Sequence, residues 1–169
     1  MQTLTMILAN VPVWVWALLA FIIAMGLRLS REQRMSRSRL LLVPAIWLAY
    51  GAWGVEATFG LNAAPLLAWA AGLAVSVKLV RSSGWASLVR KEAGLYVVPG
   101  SWIPMGLMLT IFCAKFALGM GLAMNPALAH QTGVALGFSA LFGLLSGAFL
   151  GRSLNILSAG RHATSPAFA

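Results

Sequence analysis

Aspartate is missing altogether from this chain of 169 residues, and its three acids are all glutamates: Glu32, Glu56 and Glu92. A side-chain nucleophile needs a base and a group to orient that base. Without aspartate, no Ser/His/Asp or Cys/His set assembles from these residues. Cysteine occurs once, as Cys113 inside an apolar run. That excludes a disulfide framework and a multi-cysteine metal site within one chain, and leaves the redox compartment open. A glycine-rich phosphate loop is also lacking. Charged residues make up only 9% of the chain, against 60% apolar ones and a mean hydropathy of +0.87. Too little polar surface is left to cover a soluble body of this size, so the composition is that of a membrane protein.

What the chain does have is five apolar runs and an excess of cations, with a formal net charge of +9. A nucleic-acid partner would need those cations on a solvated face or groove, whereas here they lie between the apolar runs. The runs span about 11–27, 40–60, 63–80, 102–124 and 132–152, each close to the ~20 residues that a helix needs to cross ~30 Å of hydrocarbon. Pro12 suits a first helical turn, and Trp14 and Trp16 suit a membrane interface. Asn62 with Pro65 and Ser101 with Pro104 read as cap and first-turn residues of the third and fourth spans. Pro44 predicts a kink or a late start in the second, whose hydropathy Tyr50, Glu56 and several glycines dilute.

The cations also give an orientation. Arg28, Arg31, Arg34, Arg37 and Arg39 join the first two spans, Lys78, Arg81, Arg90 and Lys91 lie between or border the third and fourth, and Arg152 and Arg161 follow the fifth. The N-terminal tail, the turn at Asn62 and the segment 125–131 contain no lysine or arginine. By the positive-inside rule these three segments face out, which predicts an all-α, five-span protein with its N-terminus outside and its C-terminus in the cytoplasm. Deleting the second span would put the cluster from Lys78 to Lys91 outside, so the cation count supports five. The first span is expected to stay as a helix, since its cations follow the apolar stretch and no small-residue cleavage site is evident. The domain so defined runs over 1–157, with a flexible cytoplasmic tail at 158–169. The five arginines of the first connection are expected among lipid headgroups, as topology determinants in preference to a dedicated binding patch.

Between spans three and four, Ser87-Leu-Val-Arg90 and Leu95-Tyr-Val-Val98 flank a polar turn with Lys91, Glu92 and Gly94, which predicts a short cytoplasmic β-hairpin over 87–98. A two-stranded hairpin is marginal alone, so it should pack on helix ends or on another subunit. Several stretches resemble a family of small bacterial inner-membrane proteins classed as a domain of unknown function. They are Val11-Pro-Val-Trp-Val-Trp-Ala-Leu-Leu-Ala20, Pro99-Gly-Ser-Trp-Ile-Pro104, Lys115-Phe-Ala-Leu-Gly119, Met124-Asn-Pro-Ala-Leu-Ala-His130 and Gly147-Ala-Phe-Leu-Gly-Arg152. The layout of spans and hairpin is also similar to membrane proteins of the CcdC type associated with cytochrome c biogenesis. The resemblance implies a topology and a bacterial inner (plasma) membrane, not an activity.

Gly143, Gly147 and Gly151 recur at intervals of four, and Gly133 and Gly137 repeat the spacing, which predicts a helix face that another helix approaches closely. Gly119 and Ala123 on span four offer a matching small surface. Lys115 lies thirteen residues beyond Trp102, about 20 Å along span four, in the outer half of the hydrocarbon. An ammonium there costs roughly 2.5 to 3.5 kcal/mol on insertion scales and should face protein or trapped water. Met105, Met108, Phe112, Lys115, Gly119 and Leu122 share its face. The one intramembrane anion able to answer it is Glu56, about 6 Å below the outer end of span two, and a snorkelling lysine stem would close most of the gap. A structural ion pair is the preferred reading over an ion or proton relay. Met120, Met124 and His130 superficially suit a soft metal or haem iron, but methionine in a membrane helix is usually apolar filler, so no metal and no cofactor is expected. Three roles stay open: a non-enzymatic accessory, assembly or structural protein, which is preferred; a small transporter or channel using Lys115 and Glu56; and a haem- or metal-handling protein. The expected partners are the lipid bilayer and either another membrane protein or a second copy of the chain.

Overall fold

The computed structural model describes residues 12–85, 88–92 and 94–162. Val11 and the N-terminal tail, Ser87 at the start of the expected hairpin, and the tail from 163 onward lie outside the described residues. Five helices follow the apolar runs: α1 (Val13–Leu29), α2 (Arg37–Phe59), α3 (Ala63–Ser82), α4 (Ile103–Met124) and α5 (Thr132–His162). Of these, α2, α3, α4 and α5 are long and apolar enough to cross a membrane, and α1 is a shorter apolar helix of 17 residues. The chain is therefore a membrane protein by the length and composition of its helices.

Local chemistry accounts for the helix starts. Ser36 caps α2 by accepting from the Arg39 amide at 3.3 Å, and Asn62 caps α3 by accepting from the Ala64 amide at 3.1 Å. Ser101 accepts from the Ile103 amide at 3.3 Å beside Pro104, which suits the first turn of α4. The helix α2 starts at Arg37, ahead of the expected Leu40, and passes through a buried Pro44 that leaves the Leu40 carbonyl without its helical donor. Gly60 ends α2 with φ at +77°, a left-handed conformation that glycine adopts without strain.

Two elements differ from the expected outline. The expected two-stranded hairpin is part of a three-stranded antiparallel sheet of order β1-β3-β2. Strands β2 (Arg90–Glu92) and β3 (Leu95–Val98) form the hairpin around Gly94, and β1 (Gln33–Met35) comes from the arginine-rich connection between α1 and α2. Met35 stands opposite Tyr96, and Gln33 opposite Val98. Second, α5 does not stop at Arg152 but continues through Ser158, where a tail was expected, to His162. Its 31 residues measure about 46 Å, well beyond the hydrocarbon thickness. The surplus is covered by protein: Ile156 and Leu157 form one core with Met35, Tyr96 and Val98 of the sheet and Leu40 of α2.

The helices divide into two groups. The most extensive packing is α3 against α5, with α2 laid across both; α1 packs chiefly on α4. The sheet joins the groups at one end, called here the sheet end. There the Ser101 amide donates to the Leu29 carbonyl at 3.1 Å, and Gly100 lies so close to the Ser30 carbonyl that any side chain would collide with it.

Candidate functional site

Lys115 lies near the middle of α4 along the chain, with its side chain exposed and not enclosed by the bundle, and its ammonium reaches toward α2 and α5. Its Nζ lies 4.8 Å from the centre of the Phe142 ring. A Cβ on Gly54 would come within 3.2 Å of the same nitrogen, so the glycine leaves room for the ammonium. The Gly54 carbonyl accepts from the Thr58 hydroxyl at 2.7 Å. Glu56 is half-buried and makes no ion pair with Lys115 within 4.0 Å; among the described residues the one such pair is Arg34–Glu92, at 3.7 Å on the sheet. Helix geometry gives the reason. Residues two apart on a helix point to different sides, so a lysine that reaches α2 at Gly54 does not meet Glu56 on the same face. A π face answers the ammonium instead, an interaction of about 0.5 to 2 kcal/mol depending on desolvation.

Other polar groups gather nearby, and the sequence reading missed them. Gly51, one turn before Gly54, would put a Cβ 3.4 Å from Trp69 Nε1 and 3.5 Å from Ser146 Oγ. The Trp69 Nε1 and Ser139 Oγ atoms are buried without a hydrogen-bond partner. The signal that marks this region is the pair of glycines one turn apart in a helix otherwise rich in large apolar residues. Chemically the cluster offers a cation and unpaired donors, but no base and no nucleophile set within it.

The glycines of α5 sit elsewhere. Gly143 meets the Trp69 carbonyl, Gly147 the Leu73 carbonyl and Ser76, and Gly151 Val77 and Val80, while Gly72 of α3 meets the Ala140 carbonyl in return. The helix approached is thus α3. Gly119, Gly133 and Gly137 have open space where a Cβ would stand, so Gly119 is not part of this seam.

At the sheet end, Arg28, Arg31, Arg34, Arg37 and Arg39 are all exposed. Arg152 is not: it is buried, with its guanidinium 5.8 Å from the Trp85 ring centre and Nε unpaired. One turn on, the Asn155 side-chain amide donates to the carbonyls of Val80 and Trp85, both at 2.9 Å, and so clamps the end of α3. An Arg-x-x-Asn pair continuing the face of an apolar helix was the available clue. Met124 and His130 are exposed and Met120 half-buried; among the described residues no group of three or more His, Cys, Asp or Glu side chains is placed to hold a metal ion.

A family described as one of unknown function, DUF6622, matches residues 1–167. No curated protein and no solved structure matches the chain, and likeness to CcdC-type proteins is not among the findings.

Proposed function

The chain belongs to that family of unknown function, and from this premise we propose that it is a five-span protein of a bacterial inner membrane with a non-enzymatic accessory or structural role. Its N-terminus lies outside, and the sheet end lies in the cytoplasm. The segregation of cations supports this orientation: the exposed arginines of the first connection, Arg81, Arg90 and Lys91 all gather at the sheet end. Helix α1, about 26 Å long, is near the lower limit for a crossing.

The observation that carries the role is the contrast between the two ends of the bundle. Within the apolar helices the polar groups are few, and Lys115 has an aromatic ring in place of an acid. The sheet end is a built polar surface with two outer strands, β1 and β2, and β2 is exposed along its length. Such edges accept a strand or loop of another protein. A photo-crosslinker at Lys91 in intact membranes should give a discrete adduct, while the same probe at the lipid-facing Trp53 should give none. Absence of an adduct at both sites would reject docking at the sheet.

One observation favours a second reading, as a small transporter or channel: a lysine stands far from either end of an apolar helix. Liposomes carrying the full chain should hold an imposed proton or chloride gradient. A leak that Lys115→Ala abolishes would replace the accessory role with transport.

A further inference from the structure

Two clefts meet at Arg81, in the last turn of α3. One, of about 210 Å³, is lined by Arg37 and Leu41 of α2, Arg81 of α3, and Leu154, Leu157 and Ser158 of α5. The other, of about 510 Å³, continues along α3 and α5 between Leu73, Ala74, Val77 and Leu150, with Lys78 at its border. Leu150, Leu154 and Leu157 follow one another at helical spacing on α5, so one wall runs through both clefts. From Arg81 to Leu73 the groove extends about 12 Å along α3. It therefore runs from cations at the sheet end to aliphatic side chains deeper in the apolar layer.

Among the described residues no acid balances the charges at the mouth. Arg37, Lys78 and Arg81 are exposed, none of the chain's three glutamates lines either cleft, and the one ion pair among the described residues uses Arg34 and Glu92. Arg37 is also the first residue of α2, where the partial positive charge of the helix terminus adds to its own. Two guanidiniums from different helices suit a phosphate, which arginine binds through paired hydrogen bonds. An aliphatic groove opening beside them suits an acyl chain, and a ligand having both parts is a phospholipid.

We propose that this groove binds one anionic phospholipid, its phosphate between Arg37 and Arg81 and an acyl chain along Leu73, Val77 and Leu150. The site rests on the reading that the sheet end lies at a membrane surface, because only there do headgroup and acyl chain meet the two halves of the groove. A net negative lipid is selected because the phosphate charge of a zwitterionic lipid is already countered by its own amine. Lys78 adds a third charge within reach of the headgroup rim. The other exposed arginines of the first connection, Arg28, Arg31, Arg34 and Arg39, act differently, as a diffuse attraction to the whole anionic leaflet.

The test uses the full chain in mild detergent with phosphatidylglycerol or phosphatidylcholine added, and counts retained lipids by native mass spectrometry. One phosphatidylglycerol should be kept in preference to phosphatidylcholine. Arg37→Gln with Arg81→Gln should weaken its retention about tenfold or more, whereas Arg28→Gln with Arg31→Gln should leave it unchanged. Equal retention of both lipids, or a folded Arg37/Arg81 variant that keeps phosphatidylglycerol as well as the parent does, would overturn the site. So would displacement of the lipid by millimolar inorganic phosphate, which would mark a soluble-anion site. Impermeant-label mapping of Ser36 and Ser83 on the same preparation of cells separates this failure from failure of the orientation, since a lost lipid leaves the labelling pattern intact.

Discussion

The seam between α3 and α5 can be tested with a single methyl group. A Cβ at Gly147 would stand 2.5 Å from the Leu73 carbonyl oxygen, 2.9 Å from Ser76 Cβ and 3.0 Å from Leu73 Cα, where ordinary contact begins near 3.4 Å. Two of those three atoms are backbone and cannot rotate away. The helices must part locally by up to about 0.9 Å, and a gap of that size forfeits a quarter to a half of each dispersion contact it opens. Overpacking of this kind costs about 1 to 3 kcal/mol. Alanine returns about 1 kcal/mol of helix propensity over glycine, so the clash must be read against a glycine that has room. Gly137 lies on the same helix and has open space at its Cβ position. Gly147→Ala should therefore unfold at lower temperature than Gly137→Ala by an amount worth about 1 to 3 kcal/mol, with both measured by circular dichroism in one detergent. If Gly147→Ala melts no lower than Gly137→Ala, the close crossing is not there and the reasoning fails.

Three other outcomes are open to direct measurement. In a Cys113→Ala background, cysteines at Asn62 or Gln131 should react with an impermeant maleimide in intact cells and those at Ser36 or Ser83 should not; labelling at Ser83 would remove the five-span orientation. Asn155→Asp keeps the size of the side chain but loses the donor amide, so it should cost about 1 to 3 kcal/mol and expose the segment between Arg81 and Arg90 to trypsin, while parent-like stability would show that the two hydrogen bonds contribute nothing. For Lys115, a double-mutant cycle with Phe142→Leu should give a coupling of about 0.5 to 2 kcal/mol and exceed the cycle with Glu56→Gln. The reverse order would show that the ammonium swings to the carboxylate in the membrane.

The helices were legible because each is a run of side chains that water rejects, and because Asn62 and Ser101 mark their starts. The C-terminal part of α5 was not, for an equally physical reason. Arg152, Ser153, Asn155 and Ser158 lower the hydropathy of that stretch to the level of a solvated tail, and only the Trp85 ring and the carbonyls of Val80 and Trp85 explain why a helix persists there. Strand β1 is three residues long and has one apolar side chain, Met35, so no alternation announces it; it forms because β3 offers an open edge on that side. At the glycine seam, the interval of four shows that a face is small but cannot name the neighbour, which is fixed by the Gly72 approach on α3. The position of Lys115 along α4 followed from residue counting. Its contacts did not, because they depend on the rotation of α2, which turns Gly54 toward the ammonium.

These placements bear on how the two helix groups stay together. In a bilayer, lipid tails are as apolar as leucine, so burying aliphatic surface between helices gives little drive for association. The α3–α5 pair meets that difficulty with glycines that bring backbones into contact, and α2 adds Gly51 against Trp69 and Ser146. Between α4 and α5 there is no such seam, and Gly119 of α4 faces open space. What holds the α1–α4 pair to the rest is therefore concentrated at three levels: the sheet, which carries covalent connections from both groups; Lys115, whose ammonium reaches to α2 and α5; and the short 3-10 helix Pro126–His130, which joins α4 to α5 at the other end and packs on both. The sheet fixes one end of α4 through β3 and Ser101. The lysine, twelve residues past the start of α4, acts about 18 Å farther along. Attachments at different heights along α4 set its direction as well as its position. The contact of Lys115 with Phe142 and the space left at Gly54 thus help to define the crossing of two helix groups that apolar packing alone would leave loose.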